Sequence, residues 1–269
     1  MSPRAVPPDS VIAAFGVGHE PVLLEGGQGG TWRAGQVILK PVEFLAETLW
    51  RAEVFDGLAE SSAFRVARPL RTAAGAWVCE GWEASRFVEG EPDVSRTDDQ
   101  LRAGIAFHAA VADLPCPAFL EQRDDAWSHG DRVAWQDVAH RASAPATRLL
   151  RPLFDARRPV SLISQLVHGD LPGNVLFAEG LPPAIIDWPP YWRPTAWASA
   201  VAVADALCWY DAEPDLITRW QHLPEWPQML IRALIYRIVT HDRAFGAIGW
   251  TPDHVGAYEP VIALVLSSR

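Results

Sequence analysis

The most informative part of this chain is HGDLPGNVLF at residues 168–177, which is followed by IIDW at 185–188. The apolar runs in the two stretches predict a small hairpin with polar residues at both ends. An Asp on such a loop can orient a hydroxyl group or accept its proton, and Asn and Asp oxygens are hard ligands for Mg²⁺. We therefore expect the hairpin to hold Asp170, Asn174 and Asp187 on one rigid platform.

A glycine-rich turn lies upstream, where GGQGG at 26–30 separates the apolar run 21–25 from a second pair of strands. Such a turn can bring backbone N–H groups close to phosphate oxygens, although glycine-rich hairpins without a ligand are also common. It is neither a Walker A motif nor a GxGxxG motif that opens a helix. The turn residues with this predicted role are Gly27, Gln28, Gly29 and Gly30.

Lys40 ends the strand that follows and is the only lysine among the 23 Lys and Arg residues. A compact ammonium at this place indicates that a point charge is needed there rather than the planar fork of an arginine. From the end of the strand it could reach the α- and β-phosphates of a nucleotide. The alternative is an exposed lysine without a ligand.

Composition excludes several other classes of protein. With 269 residues, of which 49% are apolar and 21% charged, the chain can bury the core of one large domain or two lobes. A net charge of −10 argues against a nucleic-acid partner and is compatible with a cationic one. Cys79, Cys116 and Cys208 lie far apart, which is typical of a reducing compartment. The chain contains no signal-like or membrane-spanning apolar run, so we expect a cytoplasmic protein without a membrane partner.

Hydrophobic periodicity divides the chain near residue 88, into 1–88 and 89–269. The first part is rich in strands and the second is mainly helical. The predicted elements are strands at 21–25, 31–33, 36–39, 66–70 and 77–82, a helix at 43–59, a connector at 84–92, helices at 98–114 and 131–157 with a loop at 115–130 between them, and helices over most of 197–266.

The glycine-rich turn with Lys40, the HGDxxxN stretch and the IIDW stretch resemble, over about residues 21–210, the aminoglycoside phosphotransferase-like family, in an actinobacterial-type branch of small-molecule kinases. The resemblance implies an α+β, bilobal protein-kinase-like fold, with a small five-stranded antiparallel N-lobe and a mainly helical C-lobe. It also implies transfer of a phosphoryl group from ATP, with Mg²⁺, to a hydroxyl of a small aminoglycoside-, sugar- or amino-alcohol-like substrate. GTP in place of ATP stays open, as does the choice between monomer and homodimer.

The same resemblance assigns roles to residues of the nucleotide site. Lys40 would pair with the phosphates, and Glu47 on the first long helix would pair with Lys40, because Trp50 and Val54 then pack inward. Glu53 is the alternative partner, and either glutamate could instead be a solvated helix residue. The adenine would contact backbone groups of two residues in the connector, Arg86 and Val88.

In the second part, Asp170 would be the catalytic base or the group that positions the acceptor hydroxyl. Asn174 and Asp187 would hold Mg²⁺, and His168 would fix the loop. His108 fits a core residue. The Asn follows the Asp by four residues rather than the five of protein kinases, so the loop is one residue short. Trp188-Pro189-Pro190 replaces Phe-Gly, and two prolines make a mobile activation loop unexpected.

The substrate would lie between the loop at residues 168–174, here called the HGD loop, and the helices after residue 197. Acidic and aromatic residues there would suit a polyhydroxylated or amine-bearing ligand, although the acids could simply be solvated and the tryptophans could be core. These residues are Asp205, Asp211, Glu213, Asp215, Trp192, Trp197, Trp209 and Trp220.

The shortened loop leaves a second hypothesis open, which is a pseudokinase that binds a nucleotide without turnover. A third hypothesis is a scaffold that binds no nucleotide.

Overall fold

The computed structural model describes residues 6–24 and 29–268. The chain forms two compact units. The first comprises Met1–Glu91 together with Leu176–Ile186, and the second comprises Pro92–Val175 together with Asp187–Arg269. The sequence predicts one division after residue 88, whereas the contact-based division falls three residues later and also groups the hairpin segment Leu176–Ile186 with the first unit.

A five-stranded antiparallel sheet forms the centre of the first unit, in the order β1-β2-β3-β6-β5. This sheet, with the helical remainder of the chain, confirms the predicted α+β class. Leu39 and Ala84 point from adjacent strands into a buried cluster with Val11 and Phe15, which come from a short N-terminal helix that the sequence analysis missed. The elements are α1 (Asp9–Ala14), β1 (Val22–Leu23), β2 (Trp32–Ala34), β3 (Val37–Pro41), β5 (Val78–Cys79) and β6 (Trp82–Arg86).

The predicted strand 77–82 and the predicted connector 84–92 have wrong boundaries. The apolar run 77–82 is broken by a tight turn at Glu80 and Gly81, where φ is +49° and +78°. Paired positive φ values match the turn that joins two strands of a hairpin. The chain therefore reverses inside the predicted strand, and β6 continues to Arg86 into what the sequence analysis treats as a connector.

A smaller sheet has the order β4-β10-β9-β7, with β4 at Arg65–Val66, β7 at Glu91–Pro92, β9 at Val175–Phe177 and β10 at Ala184–Ile185. Apart from its end residues Val175 and Pro92, it belongs to the first unit. The predicted hairpin after the HGD loop is present as β9 and β10. The helix α2 spans Leu45–Gly57, within the predicted 43–59.

Helices dominate the second unit. The predicted loop 115–130 and helix 131–157 are wrong in their boundaries. Asp125 and Ser128 form a reciprocal capping box that starts a helix at Ala126, and the chain then leaves helical geometry after Ala134. The helices are α3 (Thr97–Ala110), α4 (Ala126–Ala134), α5 (Ala144–Ala156), α6 (Thr195–Trp209), α7 (Leu216–Arg219), α8 (Trp226–Phe245) and α9 (Pro252–Ser267).

A two-stranded antiparallel sheet carries the HGD loop. It pairs β8 (Gln165–His168) with β11 (Pro190–Arg193), and His168 lies opposite Pro190. Most of β8 is buried because α3 and α6 pack beside it. The loop after β8 and the segment before β11 therefore emerge at the same end of a fixed support. None of the helices in the described ranges is long and apolar enough to span a bilayer.

Candidate active site

The glycine-rich turn connects β1 to β2, as predicted. The N–H of Leu24 donates to the carbonyl of Thr31 at 2.9 Å, so the two strands stay paired up to the base of the turn. Gly27 and Gln28 lie outside the described residues. Gly29 has φ of +79°, a backbone conformation that side chains other than glycine rarely adopt.

Lys40 lies on the face of the sheet that α2 covers. In the β3–β6 ladder it stands directly opposite Glu83, and directly opposed residues project to the same face. Arg51 of α2 donates to both carboxylate oxygens of Glu83, at 2.7 and 3.0 Å, and also meets Glu47 at 3.5 Å. The lysine thus lies in a charged layer between sheet and helix, and the sequence analysis did not foresee Arg51 and Glu83 as members of that layer.

The two glutamates proposed as partners of Lys40 have different surroundings. Glu47 is in the first turn of α2 with a side chain only 15% exposed. Glu53 is 62% exposed, and its Oε1 accepts a 2.5 Å hydrogen bond from the indole of Trp77 and a 3.4 Å contact from Arg71. Glu53 is thus held toward Trp77 and Arg71. Burial beside the charged layer favours Glu47 as the partner.

Arg86 is the last residue of β6, and its backbone N–H donates to the carbonyl of Arg68 at 2.7 Å. That N–H is therefore already used in a hydrogen bond within the first unit. The predicted adenine contacts at this point then depend on the Arg86 carbonyl and on the backbone of Val88, which follows the strand. Phe87 lies between them, with the guanidinium of Arg33 stacked 3.5 Å from its ring centroid.

The HGD loop is closed by contacts within itself. The N–H of Asp170 donates to Nδ1 of His168 at 3.1 Å, which agrees with the predicted role of that histidine in fixing the loop. The N–H of Asn174 donates to the carbonyl of Leu171 at 2.9 Å, with Gly173 at a φ of +80°. Leu171 is fully buried and packs on Gly104 of α3, where a Cβ atom would come within 2.5 Å of a Leu171 methyl group.

The side-chain amide of Asn174 contacts Asp170. Its Nδ2 donates to the Asp170 carbonyl at 2.6 Å and approaches Oδ2 of the same residue at 3.3 Å. These bonds use the amide nitrogen and leave the amide oxygen as the atom that could bind a cation. The one-residue-short loop therefore holds the Asn and Asp side chains next to each other.

Asp187 reaches the same end of the β8–β11 sheet. The N–H of Gly169 donates to the carbonyl of Pro189 at 3.3 Å, which holds the segment after Asp187 against the HGD loop. Asp187 is exposed and has a φ of +48°, while the next residue, Trp188, is fully buried and donates its indole N–H to Val167 at 3.1 Å. The anchored Trp188 fixes the backbone next to Asp187, and such surroundings are what allow a strained φ to persist.

The donor set fits a magnesium ion. Mg²⁺ in nucleotide-dependent enzymes is held by one or two carboxylates together with substrate phosphates and water rather than by a full protein cage. The side-chain oxygens of Asn174 and Asp187 are donors of this kind. The described residues contain no cluster of three or more His, Cys, Asp and Glu side chains suited to a metal.

Arg237 is the charged residue beside Asp170 that sequence reasoning missed. Its Nη2 donates to Oδ1 of Asp170 at 2.6 Å, and its Nε donates to the two carboxylate oxygens of Asp205 at 2.9 and 3.1 Å. Burial raises the pKa of Asp205, and the neighbouring guanidinium opposes that rise. Arg237 lies in the middle of α8, where no motif marks it.

Some of the acids and aromatic residues that the sequence predicts to face the substrate are buried, and others are exposed. Asp205 is buried and bound to Arg237, so its assignment as a solvated or substrate-facing acid is wrong. Asp215 pairs with Arg219 at 2.6 Å on the surface. Trp197 belongs to the core, whereas Trp209 and Tyr210 at the end of α6 remain partly exposed. Burial raises the pKa of Tyr210, and the charges of Asp205 and Asp170 add to the effect.

Solved structures share this arrangement of elements. Spectinomycin phosphotransferase APH(9)-Ia, in complex with ADP and spectinomycin, aligns with a TM-score of 0.62 over 97% of this chain and 96% of its own, at 13% sequence identity. The chain has the fold of the aminoglycoside phosphotransferases. No protein-family model matches its sequence, and no curated protein sequence matches it either.

Two further solved structures are similar to this chain. An aminoglycoside phosphotransferase from Alicyclobacillus acidocaldarius aligns with a TM-score of 0.59, at 17% identity, over 99% of this chain and 95% of its own. Choline kinase LicA from Streptococcus pneumoniae aligns with a TM-score of 0.57, at 12% identity, over 97% and 98%. At these identities the comparison establishes the protein-kinase-like fold.

Proposed function

We propose that this protein is a small-molecule kinase that transfers the γ-phosphoryl group of ATP, with Mg²⁺, to a hydroxyl group. One observation carries the proposal: the carboxylate of Asp170 stays 43% exposed on a loop whose other groups are locked by hydrogen bonds. Phosphoryl transfer depends on positioning and on charge neutralisation more than on covalent chemistry of the protein. A fixed, accessible carboxylate meets the first requirement.

On the nucleotide side, Lys40 pairs with the phosphates and Glu47 orients Lys40. Backbone N–H groups of the glycine-rich turn, including Gly29 and Gly30, approach phosphate oxygens, and backbone groups of Arg86 and Val88 contact the base. Support comes from the position of Lys40 in the charged layer with Arg51 and Glu83. Similar folds bind ADP or AMP-PNP, which favours an adenine nucleotide over GTP.

On the acceptor side, Oδ1 of Asp170 is held by Arg237, so Oδ2 is the oxygen that receives the substrate hydroxyl. The hydroxyl oxygen forms the new bond to the γ-phosphorus, the bond from that phosphorus to the β–γ bridging oxygen breaks, and the hydroxyl proton passes to Asp170. Asn174 and Asp187 hold Mg²⁺, which when bound neutralises phosphate charge.

The substrate we propose is small, hydroxylated and amine-bearing. The net charge of −10 favours a cationic ligand over an anionic one. The ligands and substrates of the structural neighbours, which include spectinomycin, hygromycin B and choline, guide the choice of compounds to test. A cytoplasmic location belongs to the same proposal, since ATP is available there and Cys79, Cys116 and Cys208 are unpaired thiols.

The test is a screen for acceptor-dependent ADP release. Aminoglycosides, amino alcohols and sugars are offered with Mg-ATP to the parent protein and to Asp170→Asn, which supplies the background. The expected result is ADP release by the parent only, with a phosphate monoester of one compound class in the ³¹P NMR spectrum. Binding of Mg-ATP without release for any acceptor would reject the proposal.

One observation favours a second candidate, a pseudokinase that binds nucleotide without turnover. Asp170 already contacts both Asn174 and Arg237, so its carboxylate is partly occupied before any substrate arrives. The same screen separates the two functions, because the pseudokinase predicts a nucleotide-dependent rise in melting temperature in the parent without any ester product.

A further inference from the structure

Arg237 joins the HGD loop to a buried acid on another helix. Its Nη2 lies 2.6 Å from Oδ1 of Asp170 and 2.5 Å from Oδ2 of Asp205, so one nitrogen is shared between two carboxylates. Its Nε adds the second arm of a fork onto Asp205. Because α6 and α8 pack together, the pair is fixed by the core.

The exposed fraction of the three side chains increases from Asp205 through Arg237 to Asp170. Asp205 is 8% exposed, Arg237 is 14% exposed and Asp170 is 43% exposed. Leaving one partner of a buried ion pair without its counter-charge is strongly destabilising. Asp205 therefore anchors Arg237 through Nε and Nη2, and the same Nη2 also reaches Asp170.

The positively charged guanidinium of Arg237 contacts two carboxylates, those of Asp205 and Asp170. The other titratable groups that influence it are Cys208, Tyr210, Tyr236 and Tyr258, and burial raises the pKa of each, so all four are uncharged at neutral pH. Burial by itself would lower the pKa of Arg237, but its acidic neighbours, Asp205 first and then Asp170, help to raise that pKa well above its ordinary value. The guanidinium is thus permanently charged.

We propose that Arg237 is a positioning residue for phosphoryl transfer, which holds Oδ1 of Asp170 so that Oδ2 alone faces the acceptor hydroxyl. The inference rests on the proposed function. Arg237 does not touch the reacting atoms. It fixes the rotamer of the carboxylate through the bond from Nη2 to Oδ1. A lysine offers one nitrogen and cannot reproduce the fork onto Asp205 together with the bond to Asp170.

The experiment compares four variants. Arg237→Gln leaves Asp205 buried without a cation and can fail to fold, so the decisive variant is Arg237→Gln/Asp205→Asn, which replaces the ion pair by two amides of similar size. Arg237→Lys tests conservative rescue. Arg232→Gln is the matched control, because Arg232 is a buried arginine of the same helix that bonds Gln228 and the Arg158 carbonyl. Turnover is followed with the acceptor from the screen or, without one, by slow ATP hydrolysis.

In the double variant we expect kcat to fall on the order of 10²-fold, while the KM for ATP stays within a few-fold of the parent. Arg237→Lys should recover part of the loss. Arg232→Gln should lower the melting temperature while kcat stays as in the parent. A double variant that keeps the parent's kcat overturns the inference.

A readout without turnover separates this inference from the proposed function. In protein labelled with ¹³C at the aspartate carboxyl carbons, the Asp170 signal is assigned by its loss in Asp170→Asn. At one fixed neutral pH we expect its chemical shift to differ between the double variant and the parent, because Oδ1 loses the bond from Arg237, and to stay as in the parent in Arg232→Gln. An unchanged chemical shift overturns the inference even if the protein is a kinase. A parent that turns over no ATP rejects the proposed function, while the chemical shift still tests the contact of Arg237 with Asp170.

Discussion

Nε2 of His108 accepts a 2.9 Å hydrogen bond from the backbone N–H of His168, sixty residues later in the chain. An accepting nitrogen carries no proton, so the His108 ring is neutral. Burial lowers the pKa of His108 to about 3, and neighbouring His168 adds to the effect. Nδ1 of His108 is buried and has no hydrogen-bond partner among the described residues. The HGD loop is thus held at its first residue by a neutral histidine of α3.

This contact predicts a loss of stability in mild acid. Unfolded His108 binds a proton near pH 6.5, whereas folded His108 binds one only near pH 3. Between those values the unfolded state holds more protons, so the contribution of His108 is complete above pH 6.5 and is lost as the pH falls. We expect His108→Gln to remove about 2–3 kcal/mol of the decline between pH 6.5 and 4.5.

Urea unfolding at several pH values measures that decline. His222→Gln is the control, since His222 is exposed, and it should keep the slope of the parent. Equal slopes in the parent and in His108→Gln would mean that His108 does not resist protonation in the folded protein.

Lys40→Ala should weaken binding of Mg-ADP and lower turnover on the order of 10²-fold, because a charge directed at the phosphates is removed from the site. Lys40→Arg should restore only part of this, since a planar fork replaces a compact ammonium. Calorimetric titration with Mg-ADP and the ADP-release assay measure the two effects. Arg102→Ala, which removes an exposed cation paired with Asp99, is the control. Full activity in Lys40→Arg would contradict the argument from the single lysine.

Glu47→Gln and Glu53→Gln form a matched pair on the same helix. If Glu47 orients Lys40, Glu47→Gln should weaken Mg-ADP binding several-fold. Glu53→Gln removes an exposed acid that bonds Trp77 and Arg71, so it should leave nucleotide affinity within error of the parent. A larger loss of affinity in Glu53→Gln would transfer the role to Glu53.

Asp187→Asn should remove most of the response to Mg²⁺, because it deletes the carboxylate charge from the donor set. In the parent, nucleotide affinity should rise with Mg²⁺ and fall in EDTA. Asp113→Asn, at an exposed position, should respond as the parent does. An undiminished response in Asp187→Asn would place the metal site elsewhere.

Asp170→Asn should separate binding from transfer. It keeps the side-chain shape and removes the carboxylate that accepts the hydroxyl proton, so Mg-ADP affinity should stay within a few-fold. Turnover should fall by about 10²-fold or more, as expected for loss of a general base. Because the substitution also loosens the contact to Arg237, melting curves should accompany the kinetics. Unchanged turnover would exclude the HGD loop from the mechanism.

The sequence determined the parts of this protein that are encoded within a few neighbouring residues. The hairpin of β9 and β10, the helix α2, the strand that ends near Lys40 and the loop from His168 to Asn174 all follow from local periodicity, turn residues and spacing. Together with the resemblance to the aminoglycoside phosphotransferase-like family, these features indicated an α+β fold and nominated Asp170, because the motif itself is contiguous in the sequence.

Only the tertiary structure decided which distant groups meet. The fork of Arg237 on Asp205 and Asp170, the bond from His168 to His108 and the burial of Asp205 join segments that lie 32 to 67 residues apart. Such contacts depend on which helix faces pack together, and many pairings satisfy the same apolar pattern. The charge state and orientation of a polar side chain depend on that packing, so the sequence could name the carboxylate of Asp170 but not the guanidinium that holds it.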